Sequence, residues 1–183
     1  MKIFKRTLLG LGLLIGLLLI TPPLLHPEGI NASNNSGASV LVYGASVWGV
    51  RGYFAIHTWV ATRAANENRY TIHQVIGWKL RRTGTALTVH EGDPDTPWFG
   101  NEAILLHEVS GPNAETSVEK VRAAIVRYPF ADRYTMFPGP NSNSFTEWVA
   151  QEVPELELNL PMKAIGMHWM RQYYPTHMSA TER

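Results

Sequence analysis

No cysteine occurs in the 183 residues, which excludes a disulfide framework, a thiolate metal site and a thiol nucleophile, and leaves the redox compartment open. Charge is scarce as well: charged residues make up 17% of the chain and the formal net charge is +1. Lys2, Lys5 and Arg6, three of the 16 basic side chains, precede residue 7, so the remainder is near neutral or slightly acidic against 15 Asp and Glu. That balance argues against a nucleic-acid-binding surface. Walker-type glycine loops, HExxH and EF-hand patterns are missing, so nucleotide hydrolysis is disfavoured and neither a cofactor nor a metal is expected. His90, Asp93 and Asp95 lie close in sequence, but a proline-rich acidic turn accounts for them. No internal repeat is evident.

What the chain does have is a basic start followed by an apolar run, Thr7 to Ile20, and then Thr21-Pro22-Pro23-Leu24-Leu25. The run alone has the length of a signal-peptide core. Continued through Leu25 it approaches the roughly 20 residues of a membrane span. No small-x-small cleavage site follows directly, which favours an uncleaved anchor over a removed signal. In either case the domain is expected to be exported, on the periplasmic or extracellular side, because the positive segment stays in the cytoplasm. His26 to Ala38, rich in Asn, Ser, Gly and Pro, reads as a tether with little to bury. The predicted organisation is an anchor or signal over residues 1–25, a tether over 26–38 and one globular domain over 39–183; 45% hydrophobic residues are enough for one core.

Within that domain, β-branched and alternating runs predict strands at about Val40–Tyr43, Tyr53–Ala61, Tyr70–Trp78, Ala86–Glu91 and Ala103–Val109. Two amphipathic helices are predicted, Glu115–Tyr128 and Phe145–Val153, the second with Phe145, Trp148, Val149 and Val153 as its apolar stripe. Ser144 and Glu147 have capping-box spacing at its start. The tail from Leu156 is expected to pack irregularly. The fold class is therefore α+β, a mainly antiparallel sheet with two packed helices.

Candidate chemistry centres on Pro138-Gly139-Pro140-Asn141-Ser142-Asn143-Ser144-Phe145, which drives a turn into a helix and puts a hydroxyl where free N–H groups can stabilise an oxyanion. Alternation along Tyr53–Ala61 puts His57 on the less aliphatic face with Trp59, and the neighbouring strand carries His73. Ser142 as nucleophile, His57 as base and His73 as its orienting partner would make a catalytic set. Each residue also has a structural reading: a serine before a helix caps it, and a strand histidine is often only hydrogen-bonded. Asn141, Asn143, Trp59 and Trp98 are the expected substrate-binding residues, although for Trp98 and Phe99 closing the core edge is the favoured reading over lining a groove.

Ala55-Ile56-His57-Thr58-Trp59-Val60, Val75-Ile76-Gly77-Trp78, Trp98-Phe99-Gly100-Asn101, Phe137 through Phe145 and Glu152-Val153-Pro154-Glu155-Leu156 resemble the bacterial domain-of-unknown-function family thirty-seven fifty. More distantly, Asn141-Ser142-Asn143-Ser144-Phe145 is similar to the Asn-Cys-Asn-x-Phe pattern of permuted papain-fold proteins, which include NlpC-type peptidases, lecithin:retinol acyltransferase-like proteins and PPPDE peptidases. Ser142 stands in the cysteine position, with His57 matching the base and His73 the third polar residue. That resemblance implies a permuted papain-like fold and a hydrolase or acyltransferase acting on an amide or ester. The competing expectation is a non-catalytic envelope module that binds a peptide, glycan or lipid in the same groove. An oxygen nucleophile needs the base during attack more than a thiol does.

Overall fold

A computed structural model describes residues 37–173. The predicted anchor and almost all of the tether lie outside them. Among the described residues no helix is long and apolar enough to cross a membrane.

The strands are β1 (Ser39–Ser46), β2 (Ile56–Arg63), β3 (Tyr70–Val75), β4 (Leu87–Gly92) and β5 (Ile104–Ser110). They form one sheet in the order β4-β3-β2-β1-β5, with every neighbouring pair antiparallel. β1 and β2 are buried along nearly their whole length, because both faces of the sheet are covered. A strand in that position carries apolar residues on both sides of the pleat. Val40, Val42, Ile56 and Val60 face a large core shared with the helices, while Leu41, Tyr43, Trp59 and Ala61 face a smaller one. The loop after β4 covers that second face, and Trp59 Nε1 holds it by donating to the Pro94 carbonyl at 2.8 Å.

Among the described residues four helices accompany the sheet: α1 (Gly77–Thr83), α2 (Ala114–Val126), α3 (Ser142–Glu152) and α4 (Met167–Tyr173). Phe145, Trp148 and Val149 of α3, with Val153 at its C-cap, are buried in the large core, and each such side chain contributes about 1.5–3 kcal/mol relative to exposure. Trp148 Nε1 donates to the Ala124 carbonyl of α2 at 2.9 Å, fixing the two helices side by side.

Two helices were not expected. Tyr70–Trp78 does not continue as a strand; β3 ends at Val75 and α1 starts two residues later, closed by Gly84 in the left-handed conformation at φ 75°. The β-branched run that suggests extension ends at Ile76, and Lys79, Leu80, Arg81 and Arg82 are good helix formers. Likewise Tyr53 belongs to a 3-10 turn, Gly49–Tyr53, ahead of β2. The tail contributes α4, docked on α3 through Arg171, whose Nε and Nη2 reach the buried Glu147 carboxylate at 2.7 and 3.1 Å.

Candidate functional site

β2 and β3 pair only where Val60–Thr62 faces Thr71–His73. Towards the start of β2 the two strands part, and a cavity of about 390 Å³ opens there. Its walls come from both strands, the start of α1, the loop carrying Trp98 and Phe99, the turn before α3, and the start of α3 itself. Ser142 and His57 both line it.

The start of α3 is built by Asn141. The preceding turn leaves Asn141 extended (φ −146°, ψ −169°), so its side chain folds over the first turn of the helix. Its Oδ1 accepts from the Asn143 and Ser144 N–H groups at 2.9 and 3.0 Å, and Ser144 Oγ accepts from the Asn141 N–H at 3.3 Å. The capping box is therefore Asn141 with Ser144, three residues ahead of the Ser144–Glu147 box expected from spacing. Asparagine is among the best N-caps, and Glu147 is committed to Arg171.

Both asparagines are occupied by the backbone around them. Asn141 Nδ2 donates to the Met136 and Ile165 carbonyls, Asn143 Nδ2 donates to those of Ile56 and Ile165, and Asn143 Oδ1 accepts from Thr58 Oγ1 at 3.0 Å. These bonds lock the helix start onto β2 and the segment before α4. Gly166 lies so close, at φ 110°, that a Cβ there would collide with the Asn141 amide. Between the two asparagines, the Ser142 hydroxyl and N–H have no hydrogen-bond partner among the described residues. Ser142 thus lines the cavity at the positive end of an eleven-residue helix, and its hydroxyl has its bonding capacity unspent.

On the other wall, His57 Nε2 lies 2.9 Å from Gln74 Oε1. An amide oxygen only accepts, so Nε2 carries the proton and Nδ1 keeps its lone pair. The ring stacks on Trp98 at 3.8 Å between centroids and 9° between planes. Burial pushes the imidazole down to about 4, against the opposing effect of the Gln74 bond, so it is neutral at physiological pH. No hydrogen bond joins His57 to Ser142.

His73 does not meet His57. In the observed register His73 is opposite Val60, which puts it on the helix-facing side of the sheet, while His57 shares the other pleat with Trp59. Its Nε2 is 3.0 Å from Thr62 Oγ1, whose oxygen also accepts from Arg122 Nε. Burial, with the Arg122 charge behind it, holds His73 down at about 4. The residue that orients His57 is instead Gln74. It was missed because alternation within a strand gives two faces without saying which one the neighbouring strand shares; that information lies in the register. Trp59 lies under the covering loop, stacked on Tyr43 at 5.9 Å, and does not line the cavity. Trp98 does.

The molecule is thus an α+β domain that presents a helix-terminal serine and a neutral, buried histidine to one largely apolar cavity. The chain matches, over residues 37–169, the model of a family described as "Protein of unknown function (DUF3750)", and it belongs to that family. No curated protein and no solved structure matches it.

Proposed function

We propose that the protein is a hydrolase or acyltransferase of permuted papain-like design, acting on an amide or ester in the cell envelope. Ser142 is the nucleophile, His57 the base and Gln74 the residue that orients the base. The observation that carries this reading is the shared cavity, in which an unspent serine hydroxyl and N–H at the start of α3 accompany an imidazole whose one hydrogen bond leaves Nδ1 available. The Ser142 oxygen bonds to the substrate carbonyl carbon as its proton passes to Nδ1. The resulting oxyanion faces the Ser142 N–H and the helix dipole. Collapse breaks the bond to the amine or alcohol, which takes the proton from His57, and water or a second nucleophile then releases the acyl group from Ser142. Attachment to the membrane through the apolar run of residues 7–20, with the domain exported, belongs to the same reading.

His57 and Ser142 share no hydrogen bond and stand on opposite faces of β2, since it is the next residue, Thr58, that bonds to the start of α3. This favours a second reading, an envelope module that binds its ligand in this cavity without turning it over. Catalytic hydrogen bonds commonly tighten only once substrate is present, so labelling separates the two. A fluorophosphonate probe should modify the full chain at Ser142, Ser142→Ala should abolish the adduct, and His57→Gln should slow it by about 10²–10⁴-fold. Because neutral His57 is the active form, the labelling rate should stay level from neutral pH downward and fall only near the depressed value of about 4. A wild-type chain that takes up no probe leaves the binding module as the function.

A further inference from the structure

We propose that the mouth of this cavity is a docking surface for an anionic phospholipid bilayer, separate from the N-terminal apolar segment. Trp48, Phe54, Phe99 and Phe137 all border the cavity, yet they are 72%, 68%, 60% and 73% exposed. They come from three separate segments: the flanks of the 3-10 turn Gly49–Tyr53, the tip of the loop after β4, and the turn before α3. Phe99 is held at that tip in the left-handed region, at φ 51°, where a bulky side chain is rare. Large apolar side chains grouped around an apolar opening mark an interaction face rather than scattered surface, and aromatic rings are the side chains that settle at a lipid headgroup boundary.

Charge selects the occupant. Among the described residues, Arg51, between Trp48 and Phe54, is the one Lys, Arg, Asp or Glu that borders the cavity. Directly behind the rim residue Trp78, α1 carries Lys79, Arg81 and Arg82 and no acidic residue. None of these four cations is in an ion pair among the described residues. Aromatic side chains with unpaired cations beside them are what an anionic bilayer surface attracts. A second copy of the chain meeting this face would bring like charges together about a two-fold axis. The surface is independent of whether Ser142 reacts, and labelling of Ser142 in detergent solution reads that question separately.

All six tryptophans of the chain lie beyond residue 36, so their emission reports the domain even when the N-terminal segment holds the full chain to a vesicle. In mixed phosphatidylcholine–phosphatidylglycerol vesicles with brominated acyl chains, emission should be quenched. Trp48→Tyr and the pair Phe54→Ser with Phe137→Ser should each reduce the quench. Arg81→Gln with Arg82→Gln should lower the docking constant read from it by about 30-fold, as expected for two cations at an anionic surface. The proposal is overturned by emission that brominated lipid does not quench, by a quench that the rim variants leave unchanged, or by equal quenching in pure phosphatidylcholine. Rim-dependent self-association in lipid-free sedimentation would overturn it as well, in favour of a dimer face.

Discussion

His57 and His73 are both buried and both held down at about 4, one on each side of the sheet. Desolvation leads in each case: a charged imidazole in either place loses water without gaining a carboxylate partner in contact. In the unfolded chain each returns to about 6.5, so below that value the unfolded state binds protons that the folded state refuses. Stability contributed by keeping them neutral is therefore present at neutral pH and is lost as pH falls from 6.5 towards 4. Between about pH 7 and about pH 5 the loss should be roughly 2 kcal/mol for each histidine. Urea unfolding of the wild type and of His73→Gln at those two pH values should give a smaller drop for the variant; equal drops would remove His73 from the account. Glu67, held at about 2 chiefly by its hydrogen bonds to Arg122, contributes in a lower window. Its share is complete above about 4.5 and is lost only as pH falls towards 2.

At the scale of elements, the site depends on where α3 begins. One side chain, Asn141, closes the first turn of the helix while its amide nitrogen ties the turn before α3 to the segment before α4. Asn141→Ala should therefore cost at least the usual 0.5–2 kcal/mol of a lost N-cap. Asn141→Asp keeps the acceptor for the cap but sets a buried carboxylate oxygen against the Met136 and Ile165 carbonyls, so it should be destabilised too, by the loss of the two donated bonds and by that repulsion. Chemical denaturation of the two variants checks this, and an unfolding midpoint for Asn141→Ala equal to wild type would contradict it. Helix α3 was legible from its apolar stripe and its Pro154 stop. Its cap was not, because Ser144 and Asn141 both have capping chemistry and only the path of the preceding turn selects between them. The short helix α1 was hidden for a related reason: its sequence follows directly on a β-branched run, and seven residues are too few for a helical period to stand out.

For the whole molecule, the boundary near residue 37 is the consequential feature. The family match starts there and β1 enters the core two residues later. The core of the described residues is closed by β1 to β5 and α2 to α4. A chain beginning near His26 should accordingly fold with an unchanged thermal midpoint, while the full chain goes to the membrane fraction through its apolar start. Recovery of the intact full chain in the cytosolic fraction would refute the anchoring, and failure of the shortened chain to fold would show that the N-terminal segment completes the core.

Composition and periodicity by themselves determined an α+β domain with five strands and two amphipathic helices, and marked Ser142 as a helix-start hydroxyl, because alternation, helical stripes and turn residues are local properties of the chain. The tertiary structure decided what meets what. Pairing of Val60 with His73 turns His73 away and brings Gln74 to His57, and the parting of β2 from β3 opens the cavity that His57 and Ser142 share. A shift of one residue in that register would exchange the two faces of β3 relative to β2. Contacts with the rest of the sheet and its two cores choose between those registers, and no local pattern in the strand can report them.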